Sequence, residues 1–103
     1  MINTLKNLFG MPPVDYTELV RAGAIIVDVR SKGEYAGAHI KGAINIPLDR
    51  LTENLHMIAD KQKTIITCCA SGMRSSSAAK LLLSKGYISV YNGGGWSSLN
   101  SKL

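Results

Sequence analysis

The sequence predicts an open α/β fold in which helices cover a mostly parallel β-sheet. Short runs rich in β-branched residues indicate strands, and segments of about ten residues with helical periodicity separate them. The clearest run, residues 25–29, is almost wholly apolar rather than alternating, as expected of a strand covered on both faces. A chain of 103 residues is long enough for one such domain with a single core.

The first half of the chain has clear stop and start signals. Asp15, three residues before Glu18, is typical of a helix cap, and Gly23 is typical of a helix stop. Pro47 marks the end of a strand. The predicted elements are a helix over residues 16–22, strands over 25–29 and 43–46, and a helix capped by Asp49 whose inner face carries Leu51, Leu55 and Ile58.

The second half continues the alternation. Gly86 ends a helix whose inner side carries Ala78, Leu81 and Leu82. Trp96 is interpreted as a core residue. The predicted elements are a strand over residues 64–68, a helix over 75–85, a strand over 88–91, a turn over 93–95 and a helical turn over 96–99.

Charge and hydropathy exclude several classes of protein. Residues 61–103 carry six basic and no acidic side chains, within a net charge of +5, which favours an anionic ligand. Nucleic acid is not the expected anion, because no Lys/Arg run or aromatic-interleaved basic stretch occurs. No apolar stretch approaches the roughly 20 residues of a membrane span, and residues 1–11 make a poor signal peptide. We therefore expect a cytoplasmic protein without a membrane span.

Two adjacent cysteines, Cys68 and Cys69, stand where a predicted strand meets a predicted helix. Active sites of open α/β sheets lie past the carboxyl ends of the strands. Loop amides and a helix N-terminus there, with Arg74 nearby, lower a thiol pKa and stabilise the nucleophilic thiolate. We therefore interpret this loop as a catalytic site. Only one of the two thiols can face its centre, because successive strand side chains point to opposite faces. The ring is Cys-x4-Arg counted from Cys69 and Cys-x5-Arg counted from Cys68.

Three segments resemble the signatures of the rhodanese-like sulfurtransferases, and the resemblance covers residues 14–96. They are residues 28–31 with 34–35 and 39–47, residues 69–75, and residues 86–87 with 90–92 and 94–96. The family usually has Gly directly before the His, whereas Ala38 precedes His39 here, which predicts a shifted turn. The resemblance implies a three-layer rhodanese-like fold over residues 12–103, after an N-terminal extension over residues 1–11.

In such proteins, the resemblance implies, a loop thiolate takes the outer sulfur of a small anionic donor such as thiosulfate, and a thiol or cyanide acceptor removes it. Carried onto this chain, Cys69 is the nucleophile and Arg74 meets the donor. Ser75 is expected to cap the helix. The substrate-binding residues are predicted to be Ala70, Ser71, Gly72, Met73, Arg74 and Ser75. No metal or organic cofactor is implied, and a protein can act as sulfur donor or acceptor.

Two other functions stay open. An arsenate reductase or phosphatase of the same fold would use Cys68, since a seven-residue ring is wide enough for a tetrahedral oxyanion and a six-residue ring suits a single sulfur atom. No Asp or Glu follows Asp60, so its general acid would have to come from the first half of the chain. The third function is a non-enzymatic persulfide carrier or regulatory module that docks on a partner.

The remaining polar residues have structural interpretations. Asp28 and Arg30 are expected to form an ion pair, joined by Glu34, and His39 to hold a turn by a hydrogen bond. His39 and His56 are too few for a metal site. Residues expected to pack are Tyr87, Tyr91 and Met57, while Met73 is expected at the mouth of the pocket. Three roles stay open for Ile2, Leu5, Leu8 and Phe9 of the extension: packing on the domain, which is favoured, contact with a partner, or contact with a membrane surface.

Overall fold

A computed structural model describes residues 13–103. The predicted N-terminal extension lies outside the described residues, and so do Ile2, Leu5, Leu8 and Phe9. In the described part of the chain, four parallel strands form one sheet in the order β2-β1-β3-β4. The strands are β1 (Ile25–Asp28), β2 (Ile44–Asn45), β3 (Ile65–Cys69) and β4 (Val90–Gly95). The predicted α/β fold with a parallel sheet is confirmed.

Helices cover both faces of this sheet and make the fold three-layered. They are α1 (Tyr16–Arg21), α2 (Lys32–Gly37), α3 (Met73–Ser84) and α4 (Trp96–Ser101), with two 3-10 helices at Leu48–Arg50 and Thr52–Ile58. On one face Val27 and Ile65 pack with Leu82 of α3 and Leu51 between the 3-10 helices. On the other face Ile66 packs with Leu99 of α4, and α1 and α2 contribute partly buried side chains. The central strands β1 and β3 are therefore covered on both sides, as their apolar composition predicted.

The segment after Pro47 corrects one prediction. Asp49 does not cap an α-helix there; it lies inside the first 3-10 helix, which has no side-chain cap. Asn54 then leaves helical geometry, with φ of −123°, and the segment stays in short 3-10 turns. The predicted inner face still holds in part, because Leu51 and Ile58 are buried.

Helix α2 was missed by the sequence prediction. It begins with a capping box, in which the Ser31 hydroxyl accepts a hydrogen bond from the Glu34 amide and the Glu34 carboxylate accepts one from the Ser31 amide. The signal was therefore present as Ser-x-x-Glu directly after the first strand. A helix of six residues carries too little apolar periodicity to be recognised otherwise.

The expected ion pair between Asp28 and Arg30 is confirmed, but Glu34 does not join it. Arg30 Nε lies 3.0 and 3.1 Å from the two Asp28 oxygens and Nη2 lies 2.8 Å from Oδ2. The guanidinium also donates to the Ala38 carbonyl at 2.7 Å and lies 4.7 Å from the centroid of the Trp96 ring. Both charged side chains are buried, so this pair fixes the end of β1 to the turn after α2 and to α4.

The turn around Ala38 shows why glycine is not needed there. Ala38 has φ of −169°, which is extended backbone open to any residue. His39 stacks on the Tyr35 ring and its Nδ1 lies 2.7 Å from the Tyr35 carbonyl oxygen. This hydrogen bond confirms the role expected for His39.

Replacing Asp28 tests the buried ion pair. We expect Asp28→Ala to lower the free energy of unfolding by about 3–5 kcal/mol, because the Arg30 guanidinium would stay buried without its counter-charge. Chemical denaturation followed by circular dichroism measures the change. The control is Glu18→Ala, which breaks the exposed Arg21–Glu18 pair and should cost at most about 1 kcal/mol. Equal losses for the two variants would contradict the assignment.

Candidate active site

The loop between β3 and α3 is shaped by a left-handed glycine. Gly72 has φ of +105° and directly precedes Met73, the first residue of α3. The helix therefore begins two residues earlier than predicted. Ser75 lies inside the first turn, fully buried, and does not cap the helix. The prediction was wrong because the backbone turn at Gly72 supplies the helix start without any side-chain cap.

The two thiols point to opposite sides of the sheet. Cys69 belongs to the core cluster that contains Leu82 of α3, whereas Cys68 packs with Ile66 and Leu99 on the other face. Both cysteines are free of disulfide bonds. Burial, and secondarily the charge of Asp28, raise the pKa of the Cys68 thiol to about 12. Cys68 therefore stays protonated and faces away from the loop.

The Cys69 sulfur lies at the point where loop amides converge. The amide of Gly72 donates to Sγ at 3.0 Å and the amide of Ser75 at 3.3 Å, and the Ser75 hydroxyl oxygen lies 3.5 Å from it. Burial alone would raise the pKa of this thiol, but the hydrogen bonds from Ser75, Gly72 and Ser71 outweigh it and lower the pKa. The loop thus favours a thiolate at Cys69.

Asn92 is a site residue that the sequence analysis did not single out. Its Oδ1 accepts from the Ser75 hydroxyl at 2.6 Å and from the Gly94 amide at 2.9 Å. Asn92 thereby fixes the hydroxyl that faces the Cys69 sulfur. The only local signal was its place in the third segment that resembles the family, between a predicted strand and a run of glycines.

The glycines at 93–95 do not form the predicted turn; they extend β4 beneath the loop. A Cβ at Gly95 would lie 2.9 Å from the Ala70 carbonyl oxygen, and a Cβ at Gly93 would lie 2.9 Å from Ile66, Leu99 and the Thr67 carbonyl. The loop and β4 approach so closely because neither glycine carries a side chain. The sequence predicted a turn because a run of glycines is typical of turns. A close approach between two backbone segments cannot be recognised from a single sequence.

The Arg74 side chain is paired with Glu34, and the Met73 side chain is exposed. Arg74 donates to both oxygens of Glu34, at 2.8 and 3.0 Å, and this contact lowers the pKa of the Glu34 carboxyl to about 2. Met73 is 80% exposed. Arg74 also forms part of the wall of an open groove of about 1000 Å³, whose lining includes Lys32, Pro47, Asp49, Arg50 and Met57. Met57 is 45% exposed, so it is not the packing residue that was predicted.

Of the predicted site residues, Cys69, Gly72 and Ser75 thus meet at one sulfur atom. Ala70 and Ser71 are exposed in the loop, and the Ser71 amide contributes to lowering the Cys69 pKa. Within residues 13–103, no three side chains among His, Cys, Asp and Glu lie close enough to hold a metal ion. In the same part of the chain, no helix has the length and apolar character of a membrane span.

These features define an α/β protein with a candidate nucleophilic cysteine at the carboxyl edge of a parallel sheet. A family model described as the rhodanese-like domain matches residues 12–102. The chain therefore belongs to the rhodanese-like domain family.

Individual relatives carry more than one activity. Thiosulfate sulfurtransferase PspE of Escherichia coli strain K12 is 39% identical over 70 residues, which span 67% of this chain and 67% of that protein. The tRNA uridine(34) hydroxylase of Hamiltonella defensa subsp. Acyrthosiphon pisum is 36% identical over 67% of this chain but only 21% of its own length. A solved structure described as a rhodanese with anions from E. coli has a TM-score of 0.69 at 36% identity, covering 73% of this chain and 89% of that one.

The lowered pKa predicts how Cys69 reacts with pH. The thiolate is the reactive form, so alkylation by iodoacetamide should rise with pH around a midpoint below the ordinary value of about 8.5 and fall as the pH drops through it. Cys68 should stay unmodified in the folded protein. Peptide mapping by mass spectrometry assigns each modification. The prediction would be contradicted if the midpoint of the pH dependence of Cys69 alkylation were at or above the midpoint in the denatured protein. Faster alkylation of Cys68 than of Cys69 would also contradict it.

Gly95→Ala tests the close approach of β4 to the loop. The new methyl group must displace the Ala70 carbonyl, which shifts the amides that stabilise the thiolate. We expect alkylation of Cys69 at pH 7 to slow by about tenfold, since one hydrogen bond to a charged group contributes at least that factor. Gly33→Ala is the matched control, because a Cβ there meets nothing within 4 Å. Equal alkylation rates in the two variants would show that the loop tolerates the methyl group.

Proposed function

We propose that this chain is a persulfide-forming sulfurtransferase with Cys69 as its nucleophile. The observation that carries the proposal is the convergence of the Gly72 and Ser75 amides on the Cys69 sulfur, at 3.0 and 3.3 Å. Hydrogen bonds of this kind stabilise a thiolate before the reaction and a persulfide anion after it. We assign the activity to a single domain over residues 12–103.

The proposed reaction has two steps. The Cys69 thiolate attacks the outer sulfur of a donor such as thiosulfate, a new S–S bond forms, and the bond to the sulfonate sulfur breaks with its electron pair leaving on sulfite. A thiol or cyanide then attacks the outer sulfur of the persulfide. Cyanide leaves as thiocyanate and the Cys69 thiolate is restored, so the cycle needs no oxidant or reductant.

The loop residues would share the work in this reaction. The amides of residues 70–75 are proposed to hold the persulfide and the departing anion. Arg74, which lies in the wall of the groove, is proposed as the cation nearest to an incoming donor. The transferred group is one sulfur atom, which suits the six-residue ring closed between Cys69 and Arg74.

The comparisons support the reaction class more than the substrates. The name of PspE refers to thiosulfate, and the E. coli rhodanese structure is described as one with anions; both fit a small anionic donor here. A cytoplasmic location and a thiol or cyanide acceptor belong to the same proposal. The hydroxylase relative carries its similarity in only a fifth of its length, so we do not extend hydroxylation to this chain.

The two alternatives differ in what supports them. An arsenate reductase or phosphatase would need Cys68 at the centre of a seven-residue ring, but Cys68 packs on the opposite face of the sheet with its pKa raised to about 12. That alternative finds no support in the geometry. A carrier or regulatory module would use the same Cys69 persulfide and would differ in its partner, not in its loop.

Intact-mass spectrometry tests the proposal. The reduced protein is incubated with thiosulfate or with a small persulfide, and then with cyanide. We expect the parent protein and Cys68→Ser to gain one sulfur atom and to lose it to cyanide, and Cys69→Ser to gain none.

Cys68→Ser is the matched control, since it changes the neighbouring thiol and leaves the loop intact. Sulfur gain by Cys69→Ser, or no gain by the parent protein from either donor, would refute the proposed function. Gain from the persulfide but not from thiosulfate would restrict the donor to persulfides and leave the proposed reaction class unchanged.

A further inference from the structure

We propose that Glu34 sets the charge of the sulfur donor that this site accepts. By holding Arg74 in an ion pair, Glu34 makes the site favour a donor with at most one negative charge, such as the persulfide group of a thiol compound, over the thiosulfate dianion. This inference deepens the proposed function and depends on it. It assigns Glu34 as a specificity-determining residue that acts through Arg74.

Glu34 occupies one donor edge of the Arg74 guanidinium. Its Nη1 and Nη2 atoms donate to Glu34 Oε1 and Oε2 at 2.8 and 3.0 Å, so one complete edge of the guanidinium fork is used. The two side chains are 39% and 38% exposed, which places the pair at the surface.

Glu34 is also held from its other side. Its Oε1 accepts a hydrogen bond from the Ser31 amide at 3.0 Å, and its own amide donates to the Ser31 hydroxyl at 3.2 Å. The carboxylate is therefore part of the helix start and not a free surface side chain. Its pKa of about 2, which results mainly from the Arg74 contact, keeps it ionised at every physiological pH.

Two of the basic side chains that line the groove are paired with carboxylates. Arg50 is paired with Glu53 at 3.2 Å and Arg74 with Glu34 at 2.8 Å, and Asp49 lines the same groove as Lys32. The three carboxylates offset the three basic side chains, so the net charge of +5 is not concentrated at the groove. Together with the Cys69 thiolate, these groups carry a net charge of −1, which repels a dianion more strongly than a monoanion.

The chemistry balances equally well with either donor. With a persulfide, the Cys69 thiolate attacks the outer sulfur of R–S–SH, the new S–S bond forms, and the old S–S bond breaks with its electron pair leaving as a thiolate, RS⁻. Thiosulfate instead releases the sulfite dianion beside the Glu34 carboxylate. Glu34 therefore discriminates between donors by the charge of the donor and of its leaving group.

Glu34→Gln isolates this charge. Glutamine can also occupy the fourth position of a capping box, so α2 keeps its start while the negative charge is lost. Two reagents of different charge, iodoacetate and iodoacetamide, then report the field at the Cys69 sulfur. Because both react with the same thiolate, their rate ratio cancels any change in the Cys69 pKa.

We expect Glu34→Gln to raise the iodoacetate-to-iodoacetamide rate ratio about two- to threefold, because one exposed negative charge beside Arg74 is lost in a water-like dielectric. The kcat/KM for thiosulfate should rise about four- to ninefold, chiefly through a lower KM, because a dianion has twice the interaction energy of a monoanion with the same charge. The kcat/KM for cysteine persulfide should change by less than about threefold, as expected for a donor with at most one charge.

The matched control is Glu18→Gln, which removes a carboxylate from the exposed Arg21–Glu18 pair, outside the groove lining, and should leave the alkylation ratio and both kcat/KM values unchanged. An unchanged alkylation ratio in Glu34→Gln, or an equal loss of activity with both donors, would overturn the inference and leave Glu34 as a residue that only positions Arg74. The alkylation ratio needs no sulfur transfer. If the parent protein accepts sulfur from neither donor, the proposed function fails while the ratio still decides the effect of Glu34.

Discussion

The candidate site depends on one backbone conformation, the left-handed turn at Gly72. With φ of +105°, this residue lets the chain leave β3 and enter α3 within three residues, so that its own amide and that of Ser75 reach the Cys69 sulfur. A side chain at this position would be strained by the positive φ, and its Cβ would contact the Gly94 Cα at 3.4 Å. Thiolate stabilisation is therefore built chiefly from backbone groups.

Strand β3 connects this turn to the core and separates the two thiols. Its period of two directs Cys69 toward α3 and Cys68 toward α4. Thr67, buried between its neighbours in the sheet, donates its hydroxyl to the Ser75 carbonyl at 2.8 Å and so links the strand to the first turn of α3. Packing of the core and ionisation of the thiol thus depend on the same few residues.

Local charge at the site differs from the charge of the whole chain. A net charge of +5 produces a field that attracts anions from a distance. Near the loop, however, Arg74 is paired with Glu34. Long-range attraction of an anion to the protein is therefore separate from binding of that anion at the site. Binding at the site depends on contacts between distant parts of the chain.

Much of the fold followed from the sequence alone, because strand and helix signals are local. The apolar runs of β1 and β3, the stop at Gly86 and the cysteine at a strand end can each be recognised within a few residues of the chain. The tertiary structure decided what lies between segments: the Asn92 contact to Ser75, seventeen residues away, and the Glu34 contact to Arg74, forty residues away. It also decided that β4 passes under the loop at Gly95, and that Cys69 and not Cys68 meets the amides. These features depend on how strands and loops stack in space, and such long-range contacts leave no periodic trace in a single sequence.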